Sequence, residues 1–248
     1  MDKMATFLKA EQFKMGNGFV MHGNFDVGRE VLKWIAIATM TADHVGVILY
    51  PTYDPTYEVL RFIGRLSFPL FSYLIALGYE STGNVKNYFV RLFIFALVSQ
   101  VPFSLAIGKG ILDYLNIFFT LSFGVLFIHF YKKKSILCLL PILVSFLNFD
   151  YGAYGILLIG SMYILRENLK LGIASIVLLN LPFAIYLSPQ VFSLLALPII
   201  LLHNSGFLKI IRKSKGTNPY PAWRKYFFYV YYPLHLTLLY LIKIYYFQ

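Results

Sequence analysis

Residues 33–50 read KWIAIATMTADHVGVILY. The run is apolar enough to lie in lipid, yet Asp43 and His44 stand side by side inside it. A charge near the centre of a membrane helix costs about 2.5–3.5 kcal/mol on insertion scales, so such residues face partners or a water-filled cavity. The same composition extends outward along the whole chain. Of its 248 residues, 58% are hydrophobic and 13% charged, against about 45–50% and about 25% in soluble domains. A soluble globule of this length could not cover so much apolar surface, whereas lipid can solvate it. Aromatic residues reach 19%, which suits lipid-facing walls and interfacial belts.

Apolar runs bounded by charges, Pro, Gly and Asn predict an all-α, polytopic transmembrane bundle of about nine spans, with eight to ten admissible. The runs are 33–50, 58–80, 88–107, 114–131, 136–149, 152–165, 171–187, 191–203 and 227–247. The fifth and sixth are short for a full crossing, which takes about 20 residues. Arg29, Lys33, Lys86, Arg91, Lys132, Lys133, Lys134, Arg166, Lys170 and the cluster from Lys209 to Lys225 all fall on one side of that map. The positive-inside rule then predicts a cell-membrane protein with a cytoplasmic N-terminus and an external C-terminus. The net charge of +11 is read as this loop bias, and no nucleic-acid partner is expected. Residues 1–30 are expected to form a polar cytoplasmic segment without a cleavable signal, and residues 31–248 a single transmembrane domain. Cys138 is the one cysteine, so no internal disulfide and no cysteine-based metal site is expected.

Further ionisable residues interrupt the apolar runs. Arg61 and Arg65 are spaced to share one helix face. The connection Pro51–Tyr57 is short, so the first two spans are expected as antiparallel neighbours, with His44 and Arg65 at similar depth. His235 falls near the middle of the last run, in YVYYPLH, where Pro233 loosens local helix bonding. One reading is a buried structural network in which Asp43 pairs with Arg65 and the histidines are satisfied core groups. The other is a reactive cluster. A histidine held in a cavity can act as a general base near neutral pH, and a guanidinium pair suits a phosphate or a developing oxyanion. Gln100, Asn116 and Asp150 are weaker candidates, for which structural roles are favoured; His129 and His203 are expected near the interface. No phosphate-binding loop, zinc motif, nucleophile elbow or dinucleotide fingerprint is present, nor a selectivity-filter sequence.

Several separated motifs together resemble one family. LKWIAIATMTADHVGVILYP, LRFIGRLSFPLFSYLIALGYE, YFVRLFIFALVSQVPF, LNIFFTLSFGVL, FDYGAYGILLI and KYFFYVYYPLHLTLLYLI occur in that order from about Val31 to Ile242, and resemble the TraX family. TraX is associated with N-terminal acetylation of conjugative pilin, and its family is similar to membrane acyltransferases that use acyl-CoA donors and an intramembrane histidine. The resemblance implies an enzyme that moves an acetyl or similar acyl group from acetyl-CoA to an amine or hydroxyl. The acceptor would be a pilin or other peptide N-terminus, or a surface glycan or lipid. His44 is the implied base, with Asp43 and Arg65 beside it. Arg61, Arg65, Lys209, Arg212 and Lys213 are the implied donor-binding residues, and no metal is expected. A transporter or lipid flippase using the same buried Asp, His and Arg residues is the alternative, as is a non-catalytic membrane partner of a conjugation or secretion apparatus.

Overall fold

A computed structural model describes residues 24–208, 211–213 and 222–247. A short strand, β1 (Asn24–Asp26), leads into helix α1 (Val27–Leu49), which starts earlier than the apolar run because Asp26 caps it. The Asp26 carboxylate accepts from Arg29 N at 3.1 Å, and Glu30 adds negative charge at the positive end of the helix. Asp54 caps α2 (Pro55–Gly64) by accepting from Thr56 N at 2.7 Å, with Pro55 in the first turn. After Arg65 and Leu66 the same rod continues as α3 (Ser67–Ser81). Pro69 has no N–H to offer the Arg65 carbonyl, so the rod is interrupted at that point. Then follow α4 (Val85–Ile107), α5 (Ile117–Lys132), a 3-10 turn (Ile136–Cys138) and the short α6 (Leu139–Val144). The chain ends with α7 (Gly152–Glu167), α8 (Leu169–Ile185), a 3-10 segment (Pro189–Leu195), α9 (Ala196–Asn204), β2 (Ile211–Lys213) and α10 (Ala222–Phe247).

Among the described residues, four helices are long and apolar enough to cross a membrane: Val27–Leu49, the rod Pro55–Ser81, Val85–Ile107 and Tyr226–Tyr246. The chain is therefore a helical membrane protein. Helices Ile117–Lys132, Leu169–Ile185 and Pro189–Asn204 are apolar but shorter. The stretch 136–149 is a 3-10 turn, the short α6 and a run of turns, not one continuous helix. It returns from the Lys132 end of α5 to its Asn116 end, where Leu115 bridges Phe149 and Leu115 N donates to Asn148 O at 3.0 Å. Leu139, Leu140, Leu143, Phe146 and Leu147 on this stretch are exposed, so it runs along the outside of the bundle. The only sheet among the described residues is the antiparallel pair β1–β2, with Phe25 opposite Arg212.

Helix α3 is central. Leu70, Tyr73 and Ala76 are wholly buried, and α1, α7 and α5 pack on it. By contrast, Val90, Ile94, Leu97, Val98, Val101 and Leu105 form an exposed stripe at helical spacing on α4. Such a stripe is a lipid-facing surface. Small residues let helices approach closely: a Cβ on Gly124 would sit 2.4 Å from Ile159, and one on Gly160 would sit 2.2 Å from Phe127. The ends of the helices also sort together. Arg29 reaches Ser81 at 3.1 Å, Arg166 reaches Glu80 at 3.0 Å, and His203 lies 3.3 Å from Asp26. The starts of α1 and the ends of α3, α7 and α9 thus share one face of the bundle. Asp43, His44, Arg61 and Arg65 lie toward the opposite face.

Candidate functional site

Asp43 is carried by α1 directly against the backbone of α2. A Cβ on Gly64 would stand 2.1 Å from Asp43 Oδ1, so only glycine leaves room for the carboxylate. Arg61 Nη1 donates to Asp43 Oδ2 at 2.6 Å, while Arg65 Nη2 stands 3.7 Å from Oδ1. The expected pairing of Asp43 with Arg65 is thus the looser of two contacts, and Arg61 is the closer partner. The reason is a helix end and a competing partner. Helix α2 ends at Gly64, and Arg65 instead donates through Nη1 to Gln190 Oε1 at 2.7 Å. Asp43 Oδ1 and Arg65 Nε are buried and form no hydrogen bond. These atoms are the parts of the ion cluster with recognition capacity to spare.

Gln190 opens a polar chain that reasoning from apolar runs did not single out. Its Nε2 donates to Tyr154 Oη at 3.4 Å, and Tyr154 Oη donates to Asn180 Oδ1 at 3.2 Å. Ser193 Oγ donates to the same Asn180 oxygen at 2.9 Å. A buried amide in the apolar run 171–187, and another just after Pro189, were the available signals.

Consecutive residues on a helix point about 100° apart, at 3.6 residues per turn, so His44 leaves Asp43 and faces α10. His44 Nδ1 lies 2.7 Å from His235 Nε2, with ring centroids 4.9 Å apart. His235 Nδ1 lies 2.9 Å from the Tyr231 carbonyl oxygen. Tyr232 stands edge-on to both rings, at 5.8 Å from His44 and 5.5 Å from His235. His44 and His235, separate candidates in the sequence, are one contact in the structure.

Asp150 closes the same region from the turn 148–151. Tyr114 Oη donates to its Oδ1 at 3.0 Å, and Thr120 Oγ1 donates to its carbonyl oxygen. The turn needs left-handed backbone at Asn148 (φ 59°) and Tyr151 (φ 61°), and Tyr151 is held there by stacking on Phe68 at 4.0 Å. Asp150 is within electrostatic reach of Asp43, Arg61 and Arg65. Burial pushes its carboxyl up from 3.8 to about 6, against the smaller opposing pull of the Tyr114 hydrogen bond.

Gln100 and Asn116 sit elsewhere and are saturated. Gln100 Nε2 donates to Ile111 O at 2.7 Å and Tyr114 O at 2.8 Å, and its Oε1 accepts from Asn116 N at 3.0 Å and Nδ2 at 2.8 Å. Asn116 Nδ2 also donates to Ala96 O at 2.7 Å, and its Oδ1 caps α5 through Phe118 N at 3.0 Å. The pair ties the loop before α5 to α4. Lys209 lies outside the described residues. Arg212 and Lys213 are placed in β2, and their side chains lie outside the described part.

The family model described as TraX protein matches residues 28–243. The chain belongs to the TraX family. This TraX-family chain is similar to a probable fimbrial assembly protein FimC, serogroup H1, of Dichelobacter nodosus. They are 25% identical over 239 residues, covering 88% of this chain and 97% of that protein. It is also similar to an uncharacterized protein of Rickettsia prowazekii (strain Madrid E), 26% identical over 106 residues, which is 43% of this chain and 38% of that one. No solved structure matches. Asp43, His44, Arg61, Arg65, Asp150, Gln190 and His235 all fall inside the stretch matched to TraX.

Proposed function

We propose that this protein is an integral-membrane acyltransferase that moves an acetyl or similar acyl group from acyl-CoA to an amine or hydroxyl acceptor. One observation carries the reading: inside the apolar helices a carboxylate is paired with two arginines, Arg65 Nε and Asp43 Oδ1 are buried and short of hydrogen bonds, and His44, next to Asp43 in the chain, faces α10 from the same turn of α1. Charges so placed cost free energy and persist where function needs them. Acyl transfer calls for this set. His44 takes the proton of the attacking amine or hydroxyl. The new C–N or C–O bond forms as the thioester carbonyl becomes an oxyanion, which Arg65 stabilises. The C–S bond then breaks, and the proton passes from His44 to the leaving thiolate. Asp43 holds Arg61 and Arg65 in place. The donor set fits acyl-CoA as substrate, since a guanidinium suits both phosphate and oxyanion.

Nine crossings, an N-terminus in the cytoplasm and an external C-terminus accompany this reading. They are supported by the Lys and Arg bias and by the sorting of helix ends onto two faces. In that orientation His44 is roughly 8 Å from the outer end of α1, at 1.5 Å per residue. The donor enters from the cytoplasm, with Lys209, Arg212 and Lys213 drawing its phosphates, and the acceptor is presented from outside. A pilin or other peptide N-terminus is the acceptor favoured by the fimbrial assembly name of the Dichelobacter relative; a surface glycan or lipid is the other class.

The test uses purified protein in lipid vesicles with acetyl-labelled acetyl-CoA and an unblocked peptide amine. The expected result is label on the peptide and one free CoA thiol per acetyl transferred. Intact acetyl-CoA with protein-dependent movement of a solute or lipid would instead establish the transporter class.

A further inference from the structure

The histidine pair has a direction built into it. A carbonyl oxygen only accepts, so the 2.9 Å contact to Tyr231 O places the proton of His235 on Nδ1. A neutral imidazole carries one N–H, which leaves His235 Nε2 as a bare acceptor. The 2.7 Å contact between His235 Nε2 and His44 Nδ1 is then a bond that His44 donates. It follows that the bare nitrogen of His44 is Nε2. Among the described residues nothing hydrogen-bonds to it.

A second contact fixes the register of the two helices around this pair. Thr41 Oγ1 donates to Ile37 O at 2.8 Å, so at 2.8 Å from Tyr231 Oη it accepts. The Tyr231 ring in turn stacks on His235 at 5.0 Å and 12°. One tyrosine therefore anchors α10 to α1 with its hydroxyl and supports His235 with both its carbonyl and its ring.

We propose that His235 is a positioning residue that holds His44 in its Nδ1–H form and presents His44 Nε2 as the proton acceptor. The kinetic part of this proposal rests on the acyltransferase reading; the tautomer part does not. When Nε2 takes the acceptor's proton, His44 becomes an imidazolium and its bond to His235 becomes charge-assisted, which strengthens it. The proton leaves again from Nε2 to the thiolate, and nothing leaves from Nδ1. Elsewhere a triad histidine that loses its orienting partner takes up the wrong tautomer, and the rate falls about 10⁴-fold.

The experiment is nitrogen NMR of the full chain, labelled with ¹⁵N-histidine, in lipid bilayers, with the His44 signals assigned by their loss in His44→Ala. Wild type should show His44 protonated at Nδ1 and bare at Nε2. His235→Leu should lose that form, and His235→Gln, whose Oε1 can accept the same N–H, should keep it. In the acetyl-CoA and peptide assay, His235→Leu should lower kcat about 10²-fold or more, leave the KM for acetyl-CoA within about twofold, and be rescued to within about tenfold of wild type by Gln. A His44 protonated at Nε2 in wild type, or an unchanged His44 tautomer in His235→Leu, overturns the proposal. Loss of the Nδ1–H form in His235→Leu from a wild type that transfers no acetyl group upholds the positioning role and sinks the acyltransferase reading.

Discussion

Two polar clusters are buried in this bundle, and they are finished differently. Around Gln100 and Asn116, the amide groups find acceptors and donors on α4, in the loop before α5 or in the first turn of α5, at 2.7–3.0 Å. Around His44 and Arg65, Asp43 Oδ1 and Arg65 Nε are left without hydrogen bonds. Buried polar groups in proteins are satisfied as a rule, and the exceptions call for an explanation. The first cluster is explained by the loop it holds. The second holds more charge than its own contacts need, as expected where a ligand completes the bonding. Depth in the membrane alone thus does not separate these two clusters; unspent bonding capacity on charged groups inside the apolar helices does.

Substitutions can break or sharpen this contrast. The largest loss of stability is expected at the open cluster. Asp43→Ala leaves two arginines without their carboxylate, at a cost toward the lower end of the about 3–5 kcal/mol seen for broken buried pairs, because neither Asp43 nor Arg61 is fully covered. Detergent-stable yield should fall. Arg61→Met added to Asp43→Ala should restore yield better than Arg65→Met does, since Arg61 is the closer partner at 2.6 Å. Equal rescue by both would mean that the carboxylate serves the arginines alike. Asn116→Ala should cost about 1–3 kcal/mol, the penalty of leaving a buried partner unsatisfied, read as a lower thermal midpoint. Turnover per folded molecule should be unchanged. Gly64→Ala should cost about 1–3 kcal/mol through overpacking and should also slow turnover, because its Cβ would displace Asp43; wild-type kcat in that variant would detach Asp43 from the site.

Smaller effects concern charge at the edges. The folded state holds the Asp150 carboxyl at about 6, above its ordinary 3.8. Its contribution to stability is therefore complete below the lower value and lost as pH rises through the upper one. A melting-temperature series should show Asp150→Asn with a shallower fall across that window. If the protein binds acyl-CoA as proposed, CoA should protect it against thermal unfolding, and replacing Lys209, Arg212 and Lys213 together by Gln should reduce that protection without abolishing it. Unchanged protection would make that loop a topology signal only.

The ion cluster was legible because charge in an apolar run is costly wherever it falls, and a short connection brought Asp43 next to Arg61 and Arg65. Which arginine lies closer was not legible. It depends on Gly64 admitting the carboxylate and on Arg65 turning to Gln190, a residue 125 positions away. His235 was visible as a histidine in lipid, but its bond to His44 joins the first and last long helices, 191 positions apart, and leaves no local pattern. The helical plan followed from hydropathy. The path of 136–149 did not, because a short apolar run can cross as one helix or, as here, lie along the bundle as short helical pieces and turns.

The central claim is that the open cluster does chemistry and the saturated one does not. The most direct measurement compares acetyl transfer per folded molecule for wild type, His44→Ala and Asn116→Ala, all reconstituted with acetyl-CoA and the same peptide amine. Loss of a general base lowers rates by about 10²–10⁴, so His44→Ala should fall by that factor while Asn116→Ala stays at the wild-type value. A fully active His44→Ala protein, or one whose loss is matched by Asn116→Ala, would contradict the account.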